Sequence, residues 1–173
     1  MKRFFAVILS LCMIFALTGC GASVVGTWIG RGDAVDSLSQ QIDPELAAYI
    51  TTVPYDVTIN IDKDGTYTYI FDLSPAMPEL KTAIRNYLED YIVSNGYTVE
   101  FFESAIGMTL DEYVEDAAKD MTSTESGGGS YTFEKGVLTL DPGTSGELVC
   151  PVNGKTFTMT TEFGPVTMTR TDG

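Results

Sequence analysis

Apolar and polar residues alternate over two neighbouring runs in the middle of the chain. The first run, from Tyr55 to Asp62, has the period of two that indicates a half-buried β-strand. An Asp64-Gly65 pair then leads into a second alternating run, and Asp-Gly between two such runs is a strong hairpin signal. One face of this second strand carries three aromatic residues: Tyr67, Tyr69 and Phe71.

The apolar residues change to a helical spacing between residues 74 and about 121. Asn95-Gly96 is expected to end a first helix, and Thr98 to cap a short second one. Thr109 and Glu112 match the capping box that opens a third helix. Because one side of each helix is apolar, we predict a helical insertion that covers another surface of the domain.

Further strand-like runs lie on both sides of this helical segment. The predicted strands are Val24–Arg31, Tyr131–Glu134, Val137–Asp141, Glu147–Val152, Lys155–Glu162 and Val166–Thr171. The glycine-rich residues 122–130 are predicted to be a flexible loop, and Asp43-Pro44 to open a short helix. Eight strands with mostly short links favour an antiparallel sandwich or a closed barrel, and a barrel leaves no exposed edge.

The start of the chain has the pattern of a secretory signal. Lys2 and Arg3 precede an almost wholly apolar run of 14 residues, Phe4 to Leu17. As a helix this run spans roughly 21 Å, which is short of the roughly 30 Å hydrocarbon core of a membrane. The pattern therefore favours a removable leader over a permanent membrane-spanning helix.

The leader ends in Leu17-Thr18-Gly19-Cys20, which resembles a bacterial lipobox. The resemblance implies that the chain is cut before Cys20 and that the cysteine sulfur carries a diacylglycerol. Two acyl chains give a long-lived anchor where one chain is marginal. The resemblance thus implies a lipoprotein held at the outer face of a cell membrane through Cys20; the alternative is an ordinary signal peptide cut nearby, for example after Ala22.

This reading divides the chain into a signal peptide (1–19), a lipidated cysteine with a short tether (20–23) and one folded domain (24–173). Losing Lys2 and Arg3 leaves 8 basic residues against 24 acidic ones, a net charge of −16. Because such an acidic surface repels nucleic acid, we expect no nucleic-acid partner.

Residues that commonly carry catalysis or hold metals are scarce. The sequence contains no histidine, which excludes Ser-His-Asp and Cys-His mechanisms and removes a common zinc ligand. Cys12 leaves with the leader and Cys20 carries lipid, so Cys150 has no disulfide partner and is expected to be a small buried residue. We expect no catalytic residues, metal or cofactor; a carboxylate-based hydrolase is the enzymatic alternative.

Gly26-Thr27-Trp28 in the first strand resembles the Gly-x-Trp motif of lipocalins, and Arg170 stands where lipocalins carry a basic residue over the tryptophan. The chain is also similar to small secreted lipocalin-like lipoproteins of Gram-positive gut bacteria, which share Asp64-Gly65-Thr66-Tyr67 and helical inserts. The resemblance implies an eight-stranded antiparallel lipocalin-like barrel with a helical insertion between strands 3 and 4. It also implies that Trp28 and Arg170 close one barrel end.

Two functions fit these expectations. In the first, the aromatic face of Tyr67, Tyr69 and Phe71 lines a site for a small apolar or amphipathic molecule. In the second, the same residues fill the core, and the domain is a structural protein that contacts another envelope protein. The aromatic residues of the helical insertion motivate this alternative.

Replacing Cys20 by serine is expected to abolish lipidation, because the acyl chains require that sulfur. In cells fed an alkyne fatty acid, the wild-type chain takes up label and remains with membranes, whereas Cys20→Ser does neither. Cys150→Ser is the matched control and keeps its label. A wild-type chain without label would contradict the lipobox interpretation.

Overall fold

The protein closes eight antiparallel strands into one barrel in a computed structural model that describes residues 23–119, 124–143 and 146–171. The strands are β1 (Gly26–Asp33), β2 (Pro54–Ile61), β3 (Thr66–Asp72), β4 (Thr124–Glu134), β5 (Val137–Asp141), β6 (Leu148–Asn153), β7 (Thr156–Thr161) and β8 (Gly164–Arg170). Each strand pairs with the next along the chain, and β8 pairs with β1. The predicted mainly β, eight-stranded antiparallel barrel is therefore confirmed.

The helices of the described residues lie in two of the connections between strands. They are α1 (Val35–Ser39), α2 (Pro44–Ala47), a 3-10 turn (Ser74–Ala76), α3 (Met77–Ser94), α4 (Val99–Ile106) and α5 (Leu110–Lys119). The helical insertion between β3 and β4 is confirmed, although its predicted end at residue 121 lies outside the described residues, as do the leader and Cys20. Thr98 caps α4 as predicted, because its Oγ1 accepts from Phe101 N at 3.2 Å.

The alternation in β2 places its apolar side chains inside the barrel. Val57, Ile59 and Ile61 are 3%, 1% and 2% exposed, and they contact the inner faces of the neighbouring strands. Among the described residues, the members of the buried core lie between Val24 and Met168.

One end of the barrel is sealed by the segment that enters β1. Trp28 is paired with Arg170 across β1 and β8, and its Nε1 donates to Val24 O at 2.8 Å. The Arg170 guanidinium donates to Ser23 O at 2.6 Å and to Val25 O at 2.5 Å. The two residues expected to close a barrel end thus lie together, and Arg170 holds the entering backbone across that end.

The prediction of a flexible loop over residues 122–130 was wrong for residues 124–130, whereas residues 122 and 123 lie outside the described residues. Gly127, Gly128 and Gly129 belong to β4, where they pair with Tyr69, Thr68 and Tyr67 of β3. A Cβ on Gly127 would lie 2.7 Å from the ring of Tyr69, and one on Gly129 would run into the Asp141 carbonyl. The glycines therefore permit close approach within a strand, a role that the composition does not distinguish from a loop.

The sign of the effect of Gly129→Ala on stability should distinguish a β-strand from a flexible loop at this position. In the strand, the added methyl group is overpacked and should lower the free energy of unfolding by about 1–3 kcal/mol. In a flexible loop, the same change would stabilise by about 0.4–1 kcal/mol through the unfolded state.

Urea unfolding of the chain from Gly21 to Gly173 measures this difference. Ser126→Ala on the outer face of β4 is the matched control and should change stability by less than about 0.5 kcal/mol. If Gly129→Ala stabilised the protein, the result would contradict the strand assignment and favour a flexible loop.

Candidate functional site

A cavity of about 600 Å³ lies inside the barrel, on the side formed by β2 to β7. Its walls are mainly apolar and include Val57, Ile59 and Met159. It reaches the surface at the end opposite Trp28, because the exposed residues Glu125 and Glu162 also line it. We call this open end the mouth. Volume and composition both match those of sites that hold a small molecule.

Two features of the sheet make room for the cavity. Strands β6 and β7 pair through Val152 with Phe157 and Asn153 with Thr156, and both pairs lie near the closed end. On the inner face of β4, residues 127 and 129 are glycines, so these two positions place no side chain in the interior. The interior is left incompletely filled on this side.

The three aromatic residues predicted on one face of β3 all line this cavity. Their partners in β2 are the buried Ile61, Ile59 and Val57, so the three rings share the inner face. Tyr67, Tyr69 and Phe71 thus lie side by side on the cavity wall, and their contact with a ligand stays a prediction.

The three rings occupy successive levels. Tyr67 is deepest and 4% exposed, and the Tyr69 ring lies over Gly127. Phe71 is nearest the mouth, where its ring stacks on Phe163 with 5.2 Å between centroids.

The hydroxyl groups of Tyr67 and Tyr69 have no hydrogen-bond partner among the residues that the structure describes. Other tyrosines of the barrel are satisfied: Tyr55 Oη lies 3.1 Å from Thr161 Oγ1, and Tyr131 Oη donates to Asp62 O at 2.8 Å. Two polar groups within an apolar cavity are thus left available to a bound molecule.

The electrostatic surroundings of Tyr67 oppose its ionisation. Burial raises the pKa of the Tyr67 hydroxyl above its ordinary value, and nearby Tyr69 and Asp141 raise it further. The group is therefore a neutral hydroxyl at physiological pH, able both to donate and to accept a hydrogen bond.

Sequence reasoning missed three residues at the mouth: Glu125, Glu162 and Phe163. Glu125 was placed in a loop, although it shares its face of β4 with Gly127 and Gly129. Continuing the alternation back from the predicted strand at Tyr131 would have identified that face. Glu162 and Phe163 lie at the turn between β7 and β8, where periodicity gives no orientation.

The helices lie around the mouth without lining the cavity, as far as the described residues show. Helix α1 reaches the β7–β8 turn, where Ser37 Oγ donates to Glu162 O at 3.2 Å. Helix α3 packs Leu80 and Ala83 against the barrel core. Ion pairs then hold α5 to α3, with 2.6 Å between Lys81 Nζ and Glu115 Oε2. The insertion therefore flanks the cavity instead of filling it.

Other chemistry in the described residues is limited. No group of three or more acidic or cysteine side chains within them is arranged to hold a metal ion. Cys150 is 1% exposed, and burial raises the pKa of its thiol, which makes it a poor nucleophile. A search of the same residues for a helix long and apolar enough to cross a membrane found none.

Comparisons of the chain with protein-family models, with curated proteins and with solved structures found no match. The geometry of the cavity is therefore the basis for assigning a function.

Tyr67→Phe should make the stability of the domain less sensitive to high pH. The folded state raises the pKa of Tyr67, so the neutral hydroxyl contributes to the free energy of unfolding. This contribution is complete below the ordinary pKa of about 10 and is lost as pH rises through the folded-state pKa. The variant lacks the ionisable group, so its urea midpoint should fall less between pH 9 and pH 12.

Tyr97→Phe removes an exposed hydroxyl and serves as the reference for this comparison. Equal pH dependence in the wild-type and Tyr67→Phe chains would show that the fold does not favour the neutral form of Tyr67.

Proposed function

We propose that this protein is a membrane-anchored extracytoplasmic lipoprotein whose barrel binds a small apolar or amphipathic molecule without transforming it. The observation that carries the proposal is the cavity of about 600 Å³ with apolar walls and two unpartnered tyrosine hydroxyls among the described residues. Such a site gains affinity from burying an apolar ligand and orientation from a few polar groups. A filled core would offer no such space.

Binding without catalysis is supported by the side chains around the cavity. Its polar lining consists of tyrosine and threonine hydroxyls and the carboxylates of Glu125 and Glu162. The sequence has no histidine to serve as a general base beside them. The site therefore offers contacts that hold and orient a molecule but lacks an activated nucleophile.

The anchor would set the orientation of the barrel. Ser23 is held at the closed end by Arg170, and three residues after Cys20 span at most roughly 10 Å. In this proposal the closed end lies near the membrane and the mouth faces away from it. Ligand would then enter from outside the cell instead of from the bilayer.

The distribution of basic residues supports the same orientation. Lys63, Lys135 and Lys155 lie in or beside the three hairpin turns at the closed end, where Arg170 ends β8. The acidic residues at the same turns are Asp62, Asp64 and Glu134, so this end is close to neutral whereas the rest of the domain is acidic. An anionic membrane surface attracts basic side chains and repels the acidic remainder of the domain. The charges therefore favour the closed end as the side that faces the lipid.

Filling the cavity should abolish ligand binding. We expect the chain from Gly21 to Gly173 to bind the neutral apolar dye N-phenyl-1-naphthylamine with a rise in dye fluorescence. Leu148→Trp places a large ring in the cavity wall and should lower this affinity at least about tenfold, a loss of about 1.4 kcal/mol.

The next residue of β6 provides the matched control. Val149 is 63% exposed on the outer face, so Val149→Trp should bind the dye as the wild type does. Met159→Trp is a second cavity variant for use if Leu148→Trp unfolds. No dye binding by the wild type, together with ligand-free native mass spectra of protein from its own host, would rule the function out.

Exposed aromatic side chains on the helical insertion favour a second candidate, an interaction protein. Tyr97 and Phe101 are 55% and 59% exposed and stack on each other with 5.4 Å between ring centroids. Such rings are common in protein interfaces. A cellular defect caused by Phe101→Ser but not by Leu148→Trp would favour this candidate over ligand binding.

A further inference from the structure

The mouth of the cavity carries carboxylates and no basic group. Glu125 and Glu162 line it, and no lysine or arginine is among the lining residues. Neither carboxylate forms a hydrogen bond or ion pair with the residues that the structure describes. The mouth therefore presents negative charge that this part of the protein leaves uncompensated.

Basic side chains of β1 and α3 form ion pairs with acidic side chains of the protein. Arg31 Nε lies 2.7 Å from Asp56 Oδ1 on the outer wall. Lys81 and Arg85 pair with acids of α3 and α5. No lysine or arginine among the lining residues would attract the carboxylate or phosphate head group of a ligand. The carboxylates at the mouth would repel such a head group.

The two glutamates stand beside an aromatic pair. Glu125 is directly opposite Phe71 across β4 and β3, and Glu162 precedes Phe163. Phe71 and Phe163 stack with an interplanar angle of 26°. These rings give the mouth an apolar contact for the carbon groups next to a head group, while the carboxylates attract a positive charge.

Deeper in the cavity, Tyr67 is a polar side chain that is more than nine-tenths buried and has no hydrogen-bond partner among the described residues. The walls between this residue and the mouth are mainly apolar. An occupant therefore needs an apolar body, and a hydrogen-bonding group on that body gains a partner at Tyr67.

We infer that the ligand is a cationic amphiphile: an apolar body lies along the tyrosine-lined wall, and an amine or other cation rests at the mouth beside Glu125 and Glu162. This inference rests on the proposed binding function and adds the charge of the ligand to it. Glu125 and Glu162 are then the residues that determine specificity, because the apolar wall alone does not distinguish head groups.

Three ten-carbon compounds that differ in their head group test this inference: decylammonium, decanol and decanoate. Each competes with N-phenyl-1-naphthylamine for the chain from Gly21 to Gly173, below its micelle concentration. We expect decylammonium to bind at least about tenfold more tightly than decanoate, with decanol between them. The preference should narrow as salt is added.

Two variants separate the mouth carboxylates from the overall acidity of the domain. Glu125→Gln combined with Glu162→Gln should bring the affinities for decylammonium and decanoate within about threefold of each other. The control pairs Glu134→Gln with Glu100→Gln, which removes two exposed carboxylates away from the cavity lining and should keep the preference. An equal loss of preference in both double variants would assign the effect to net charge and overturn the inference.

The remaining outcomes distinguish an error in the predicted head group from an error in the binding function itself. If the dye binds but decanoate competes as well as decylammonium, the cationic head group is wrong and the binding function stands. If neither the dye nor any decyl compound binds, the binding function itself is wrong.

Discussion

The close approach of the β4 glycines to the neighbouring strands β3 and β5 is the contact on which the rest of the site depends. Tyr69 lies over Gly127, and Tyr67 is paired with Gly129. A side chain on either glycine would displace the neighbouring ring or backbone, and it would also occupy the interior. The same absence of side chains thus allows the sheet to pair closely and leaves the inside of the barrel incompletely filled.

The two ends of the barrel differ in what their polar groups bind. At the closed end, Trp28 and Arg170 donate to backbone carbonyls of the entering segment, and the three turns are tight hairpins. At the mouth, the helical connections surround the opening, and Glu125 and Glu162 have no partner among the described residues. Among the described residues, Trp28 and Arg170 have partners within the protein, whereas the two carboxylates at the mouth have none.

Local signals predicted much of the fold. The Asp64-Gly65 turn and the alternation around it identified β2 and β3, and Thr98 marked the start of α4, because these signals act over a few residues. Helix α1 was missed since its start depends on a distant contact. Asp33 Oδ1 accepts from Val35 N at 3.0 Å and also from Val53 N at 2.8 Å, 20 residues away in the chain.

By itself, the sequence determined the strand period, the helix caps and the inner face that carries Tyr67, Tyr69 and Phe71, because side-chain direction within one strand follows from alternation. Only the tertiary structure decided that this face borders a cavity. That outcome depends on the β4 glycines lying opposite the tyrosines, on where β6 and β7 pair, and on the β7–β8 turn bringing Phe163 against Phe71. The glycine–tyrosine contacts and the Phe71–Phe163 contact join residues tens of positions apart, and they exist only in the folded barrel.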